Sequence, residues 1–122
     1  MIGEWLDIGP VDQITPGSAR TLKVQGGEEI AVFRTEGNQF HALVNACPHK
    51  RGPLSQGIVH GGVVTCPLHN WNISLTSGQA LGDDPEELGA CVPVIPLRVD
   101  AGRIYLLRSA LVAHSATDLK AA

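Results

Sequence analysis

Several features that mark common classes of protein are missing from this sequence of 122 residues. No run approaches the roughly 18 apolar residues of a membrane span, so we expect no contact with a membrane. Residues 1–8 lack the basic segment and the long apolar run of a secretory signal, which predicts a cytoplasmic protein. Lysine and arginine total 9 against 12 acidic residues, and the formal charge of −3 argues against nucleic acid as a partner.

Cysteine is scarce, and the number of cysteines is odd. Three cysteines cannot all pair within one chain, so a complete disulfide framework is not expected. In a reducing compartment, clustered cysteines and histidines favour a metal site over a disulfide. The hydrophobic fraction of 43% excludes a disordered chain, and the length suits one domain with its own core.

Glycine and proline are abundant, with 14 and 8 residues, and predict short elements joined by turns. Three hairpins are expected, with strands over residues 28–35 and 40–44, 58–59 and 63–65, and 92–99 and 104–107. Pro93 and Pro96 make the strand over 92–99 an edge or interrupted strand. Residues 1–108 show no apolar period long enough for a substantial helix, so an all-β sandwich or barrel is predicted.

Two short motifs carry the residues best suited to bind a metal. Cys47-Pro48-His49 and Cys66-Pro67-Leu68-His69 give the pattern C-x-H, sixteen residues, then C-x-x-H. The hairpin predicted over residues 58–65 returns the chain to the same end of the sheet, so the two loops can bring four ligands together. Zinc accepts two Cys and two His, but its common motifs pair like with like. Mixed pairs suit a two-iron cluster in which one iron takes both thiolates and the other takes both imidazoles.

With these motifs the sequence resembles the Rieske 2Fe–2S domains. Cys47, His49, Cys66 and His69 match the four ligand positions of that family one by one, which implies that they hold one Rieske 2Fe–2S cluster. Further matches in the two loops are Gly52-Pro53-Leu54, Gly57 and Thr76-Ser77-Gly78.

The resemblance covers residues 5–107, nearly the whole chain, and implies the fold of the family. That fold is a Rieske-like antiparallel β-sandwich with a small cluster-binding subdomain, here formed by the loops 47–57 and 66–78. We therefore expect a single domain over residues 1–108, followed by a C-terminal tail over residues 109–122.

The residues around the ligands indicate which group of Rieske proteins this chain resembles. Respiratory Rieske proteins carry an extra cysteine in each loop, joined as a disulfide, and neither loop has one here. The stretches 47–59 and 66–75 are similar to the small subunit of the cytoplasmic NAD(P)H-dependent assimilatory nitrite reductase. This implies an electron-transfer subunit with no substrate site of its own. Its implied partner is a large subunit that carries FAD, a 4Fe–4S cluster and sirohaem and reduces nitrite to ammonium.

Two other functions remain open at this point. A Rieske ferredoxin of an aromatic-ring-hydroxylating dioxygenase would have the same ligands, although such proteins usually have Gly or Gln after the last histidine, where this chain has Asn70. A zinc-stabilised interaction module with no redox role is the third function, and it predicts a colourless protein.

Residues close to the ligands lead to further expectations. Lys50 and Arg51 form either a basic docking rim or an ordinary solvated pair, and Trp71 either caps the core or contacts a partner. Cys91 lies in an apolar stretch and is expected to be a buried free thiol. Asn70-Trp71 replaces the serine that raises the potential of respiratory Rieske clusters. We therefore expect a potential near the low end of the roughly −150 to +300 mV Rieske range.

Overall fold

The computed structural model describes residues 5–24, 28–48, 51–68, 70–82, 85 and 87–111. Its strands are β1 (Trp5–Pro10), β2 (Ser18–Lys23), β3 (Glu29–Arg34), β4 (Phe40–Val44), β5 (Ile58–His60), β6 (Val63–Thr65), β7 (Asn72–Ser74), β8 (Val94–Ile95), β9 (Leu97–Asp100) and β10 (Arg103–Leu107). Short 3₁₀ turns lie at Val11–Gln13 and Leu54–Gln56. Within the described ranges, no helix has the length and apolar character needed to cross a membrane.

The strands form three antiparallel sheets, with the orders β1-β10-β9, β2-β3-β4-β8 and β5-β6-β7. One hydrophobic core receives side chains from all three, including Leu106 from the first sheet, Phe33 from the second and Ile73 from the third. The antiparallel sheets and the small helical content confirm the predicted all-β architecture.

The β3–β4 hairpin is the best-buried part of the core. Ile30, Ala31, Val32 and Phe33 are all at most 1% exposed. Such a continuous apolar run is typical of a strand covered on both faces of its sheet. The hairpin was expected over residues 28–35 and 40–44, and the register from Ile30↔Val44 to Arg34↔Phe40 confirms it.

Pro96 marks the point where the chain passes from one sheet to another. Before it, β8 pairs with β4, and after it, β9 pairs with β10. Proline lacks the amide hydrogen that a continuous ladder would use, so the strand predicted over residues 92–99 is interrupted here as expected. The Pro96 carbonyl still accepts a hydrogen bond from Leu107 N, at 3.1 Å.

The expectation that Cys91 is buried is wrong, because its side chain is exposed. Successive side chains of an extended segment point to opposite sides, and here the inward position falls to Val92, which is 3% exposed. A single bridge pairs Cys91 with Gln79. The apolar sequence around the cysteine therefore did not indicate which of its residues faces the core.

Candidate metal centre

The hairpin of β5 and β6 brings the two predicted loops together. Ile58 pairs with Thr65, so the end of the first loop lies beside the start of the second. Gly57 has no space for a side chain, since a Cβ atom there would overlap the carbonyl oxygen of Thr65. This arrangement confirms that the hairpin returns the chain to the same end of its sheet. It also shortens the second loop, because β7 occupies residues 72–74 within the expected span 66–78.

The first loop begins with a turn closed by two backbone hydrogen bonds. Cys47 N donates to Gly52 O at 2.8 Å, and Arg51 N donates back to Cys47 O at 2.8 Å. Arg51 has a φ of 58°, in the left-handed region that residues other than glycine rarely adopt. Such a conformation persists only where its surroundings fix it, and here the paired hydrogen bonds do so.

The second loop repeats this turn. Cys66 N donates to Trp71 O at 2.8 Å, and Asn70 N donates to Cys66 O at 3.1 Å. Asn70 has a φ of 62°, and asparagine is among the residues that tolerate this conformation best. The two cysteines therefore stand at equivalent positions of two matched turns.

The two turns are in direct contact, and both sulfurs are shielded from water. Cys47 is 1% exposed and Cys66 is 2% exposed. A Cβ atom on Gly52 would lie 3.0 Å from Cys66 Sγ and 2.8 Å from Leu68 Cγ, so the backbone of one loop lies against the side chains of the other. Two buried sulfurs on touching turns fit the thiolate half of a cluster held between two loops.

The imidazole half lies outside the described residues, because both His49 and His69 do. Within the described residues, no group of three or more Cys, His, Asp and Glu side chains is gathered. The structure thus brings together the two predicted cysteine positions.

Two alternatives were left open for Arg51 and two for Trp71, and the structure bears on both choices. Arg51 Nη2 lies 2.7 Å from Glu28 Oε1, so its charge is paired with the carboxylate of the residue just before β3, which weakens the interpretation as a docking rim. Lys50, the other residue of that rim, lies outside the described residues. Trp71 is 8% exposed and belongs to the hydrophobic core, which supports the capping interpretation.

Two polar residues were not among the predicted site residues: Asn45 lies just before the first loop, and His41 lies at the other end of β4, away from that loop. Asn45 is 9% exposed, and the signal that could have found it is a lone amide within the apolar run 42–47. His41 lies on β4, where burial lowers the pKa of its imidazole. Its Nε2 atom has no hydrogen-bond partner in the part of the chain that the structure describes.

Comparison with known proteins gives one family. The profile of the Rieske [2Fe-2S] domain matches residues 4–96. The ferredoxin component of the alkene monooxygenase system of Xanthobacter autotrophicus is 33% identical over 104 residues, which cover 84% of this chain and 80% of that protein.

Solved structures agree with this match. A complex of oxygenase and ferredoxin in carbazole 1,9a-dioxygenase is similar with a TM-score of 0.74 and 27% identity, covering 84% of this chain and 92% of that chain. A structure assigned to the small subunit of an NADH-dependent nitrite reductase from Mycobacterium tuberculosis has a TM-score of 0.73 and 31% identity, covering 85% of this chain and 94% of that chain. The chain therefore belongs to the Rieske [2Fe-2S] domain family, and its cofactor is a Rieske 2Fe–2S cluster.

Proposed function

We propose that this chain is the electron-transfer small subunit of a cytoplasmic NAD(P)H-dependent assimilatory nitrite reductase. Cys47 and Cys66 would bind one iron, and His49 and His69 would bind the other. Its partner would be a large subunit with FAD, a 4Fe–4S cluster and sirohaem, where nitrite is reduced to ammonium. When bound, the Rieske cluster supplies a site that accepts and donates one electron at a time.

The two matched turns are the observation that supports the ligand assignment. Each proposed thiolate ligand is the first residue of its turn, and its carbonyl accepts the amide of the residue four positions later, Arg51 or Asn70. Each turn encloses one proposed imidazole ligand in the sequence, His49 or His69. The zinc-stabilised module loses its support, because the family that matches this chain binds a 2Fe–2S cluster.

The sequence of the second loop favours a nitrite reductase over a dioxygenase system. The stretches 47–59 and 66–75 resemble the nitrite reductase small subunit, and ring-hydroxylating systems usually have Gly or Gln where this chain has Asn70. Position 70 adopts the left-handed conformation, which both glycine and asparagine tolerate, so the preference for a nitrite reductase rests on the sequence resemblance. The similarity to the mycobacterial structure extends over 94% of that chain, which agrees with this proposal.

The chain's own residues would keep water from the thiolates and present the site to a partner. Exposed apolar side chains lie beside the second loop: Leu68 is 52% exposed, Leu81 is 52% exposed and Ile58 is 69% exposed. Ile58 pairs with Thr65 at the start of this loop, and Leu81 N bonds to the carbonyl of Asn72 at its end. We infer that these side chains contribute to the surface that contacts the partner subunit.

The proposal is tested by reconstitution. The chain and the large subunit from the same genome are purified without oxygen, and nitrite-dependent oxidation of NADH and of NADPH is measured with and without the small subunit. We expect a stable complex whose turnover depends on the wild-type chain. Cys47→Ser is the variant without a proposed ligand, and Cys91→Ser is its matched control. Binding without any effect of Cys47→Ser on turnover would assign the subunit to assembly instead of electron transfer.

A ferredoxin of an oxygenase system is the second candidate. The observation in its favour is the 33% identity to the ferredoxin component of an alkene monooxygenase system. It predicts that the reduced chain passes electrons to an oxygenase component and supports hydroxylation. Failure to bind the nitrite reductase large subunit, together with rapid oxidation by such an oxygenase, would select this function.

A further inference from the structure

The two loops have matched turns but are anchored to the fold in different ways. The second loop joins neighbouring strands, because β6 ends at Thr65, β7 begins at Asn72, and these two residues pair. Thr65 Oγ1 also donates to Asn72 Oδ1 at 2.6 Å. The first loop instead joins β4 to β5, which belong to different sheets. Among the residues that the structure describes, no strand pairing joins the two ends of this loop, so other contacts hold them.

Asn45 supplies three such contacts from a buried position. Its backbone amide donates to Glu29 O at 2.8 Å, and its side-chain Nδ2 donates to Glu29 Oε1 at 2.9 Å. Its Oδ1 accepts the backbone amide of Ser55 at 2.8 Å. Glu29 is the first residue of β3, and Ser55 lies near the end of the first loop. One amide therefore ties both ends of this loop to the strand beneath it.

A second contact reaches the middle of the same loop. Arg51 Nη2 lies 2.7 Å from Oε1 of Glu28, the residue before β3. The Glu28 side chain is 18% exposed and the Arg51 side chain is 67% exposed, so water reaches the guanidinium and the contribution of this ion pair is small. The amide of Asn45 is 9% exposed, and hydrogen bonds lost at such a site leave buried groups unpaired.

We propose that Asn45 is a positioning residue for the cluster: it fixes the start of the first loop, and with it the proposed ligand Cys47, against β3 through Glu29. This inference rests on the ligand assignment proposed above. Asn45 stands two residues before Cys47, so a shift of its side chain is transmitted directly to that ligand. A side-chain amide meets the demands of this position, since it donates to a carboxylate through Nδ2 and accepts from a backbone amide through Oδ1.

The test exchanges the amide and the carboxylate. Asn45→Ala removes both side-chain hydrogen bonds, and Asn45→Asp places two carboxylates against each other. The double variant Asn45→Asp with Glu29→Gln restores donor and acceptor in reversed order and keeps the net charge of the pair. Three properties are measured on anaerobically purified protein: the rate at which a chelator bleaches the visible absorbance, the EPR line width of the reduced protein, and amide hydrogen exchange in the peptide containing Ser55.

Asn38→Ala is the matched control. Asn38 Oδ1 accepts hydrogen bonds from Arg34 Nε and Nη2 at the opposite end of the β3–β4 hairpin. We expect Asn38→Ala to lower the melting temperature, because it removes these two hydrogen bonds, which lie outside the first loop. This control separates general destabilisation from a change in the cluster site.

We expect Asn45→Ala and Asn45→Asp to lose the cluster roughly 10-fold faster or more, the factor that corresponds to about 1.4 kcal/mol. We also expect broader EPR lines and faster exchange at Ser55. The double variant should return to within about 3-fold of wild type, and Asn38→Ala should keep the wild-type rate and spectrum. Wild-type behaviour of both single variants, or a double variant as impaired as Asn45→Asp, would overturn the inference. A wild-type protein without a 2Fe–2S spectrum would instead overturn the ligand assignment.

Discussion

Gly52→Ala is the perturbation that most directly examines how the two loops fit together. Gly52 has no left-handed φ, so alanine can adopt its backbone conformation, and the effect comes from the added methyl group alone. That methyl carbon would lie 2.8 Å from Leu68 Cδ1 and Cγ and 3.0 Å from Cys66 Sγ. Ordinary contacts between carbon atoms lie at about 3.5–4.0 Å, so both neighbours have to move.

The two neighbours differ in their freedom to move. Leu68 is 52% exposed and can rotate toward solvent, whereas Cys66 is 2% exposed and its sulfur is a proposed ligand. Overpacking of this kind typically costs about 1–3 kcal/mol. For a domain of this size each kcal/mol lowers the melting temperature by about 3–6 °C, so we expect a decrease of about 3–18 °C.

The assay is thermal unfolding of the anaerobically purified protein, together with the rate of cluster loss to a chelator. Gly62→Ala is the matched control, because a Cβ atom at Gly62 has no neighbour within 4 Å. In a Leu68→Ala background, Gly52→Ala should cost less, and the remaining cost reports the contact with Cys66 Sγ. Equal melting temperatures and equal cluster loss for Gly52→Ala and Gly62→Ala would refute the reasoning.

Three further predictions concern a ligand, a buried histidine and the potential. Cys47→Ser should reduce the iron per chain to background, as measured by elemental analysis. Cys91→Ser changes an exposed cysteine outside both loops and should keep the wild-type iron content. Equal loss of iron in both variants would contradict the assignment of Cys47 as a ligand. Burial lowers the pKa of His41, so the unfolded chain binds more protons just below the ordinary value of about 6.5, and stability falls as the pH drops through it. His41→Leu should therefore flatten the decrease in melting temperature between about pH 7 and about pH 5, and an unchanged slope would count against this origin. The midpoint potential should lie near the low end of the roughly −150 to +300 mV Rieske range. A value well above zero, measured by voltammetry, would contradict this prediction.

The hairpins could be predicted from sequence because their signals are local. β3 and β4 carry apolar residues on either side of a turn that contains Gly37 and Asn38, and such a pattern needs no distant partner. β2 gave no such signal, since Ser-Ala-Arg-Thr-Leu-Lys is polar and forms a strand by pairing with β3 along its whole length. The three-residue strand β7 could not be predicted from its own sequence either, because it forms only by pairing with β6.

The candidate site also has parts that the sequence predicts and parts that it does not. The spacing of Cys47, His49, Cys66 and His69 is visible in the sequence, and the β5–β6 hairpin that joins their loops is local as well. The support of the first loop is not visible, because Asn45 bonds to residues 16 positions before it and 10 positions after it. Only the packing of β3 under the loop brings these groups within hydrogen-bond distance.

Pulsed EPR of the reduced, anaerobically purified protein tests the central claim most directly. It detects the nuclei bound to the iron that takes up the electron, so it reads the mixed ligand set proposed for Cys47, His49, Cys66 and His69. We predict couplings from two imidazole nitrogens, with His49→Ser and His69→Ser each abolishing this two-nitrogen pattern. A 2Fe–2S spectrum without nitrogen couplings, or stoichiometric zinc without acid-labile sulfide, would contradict the account.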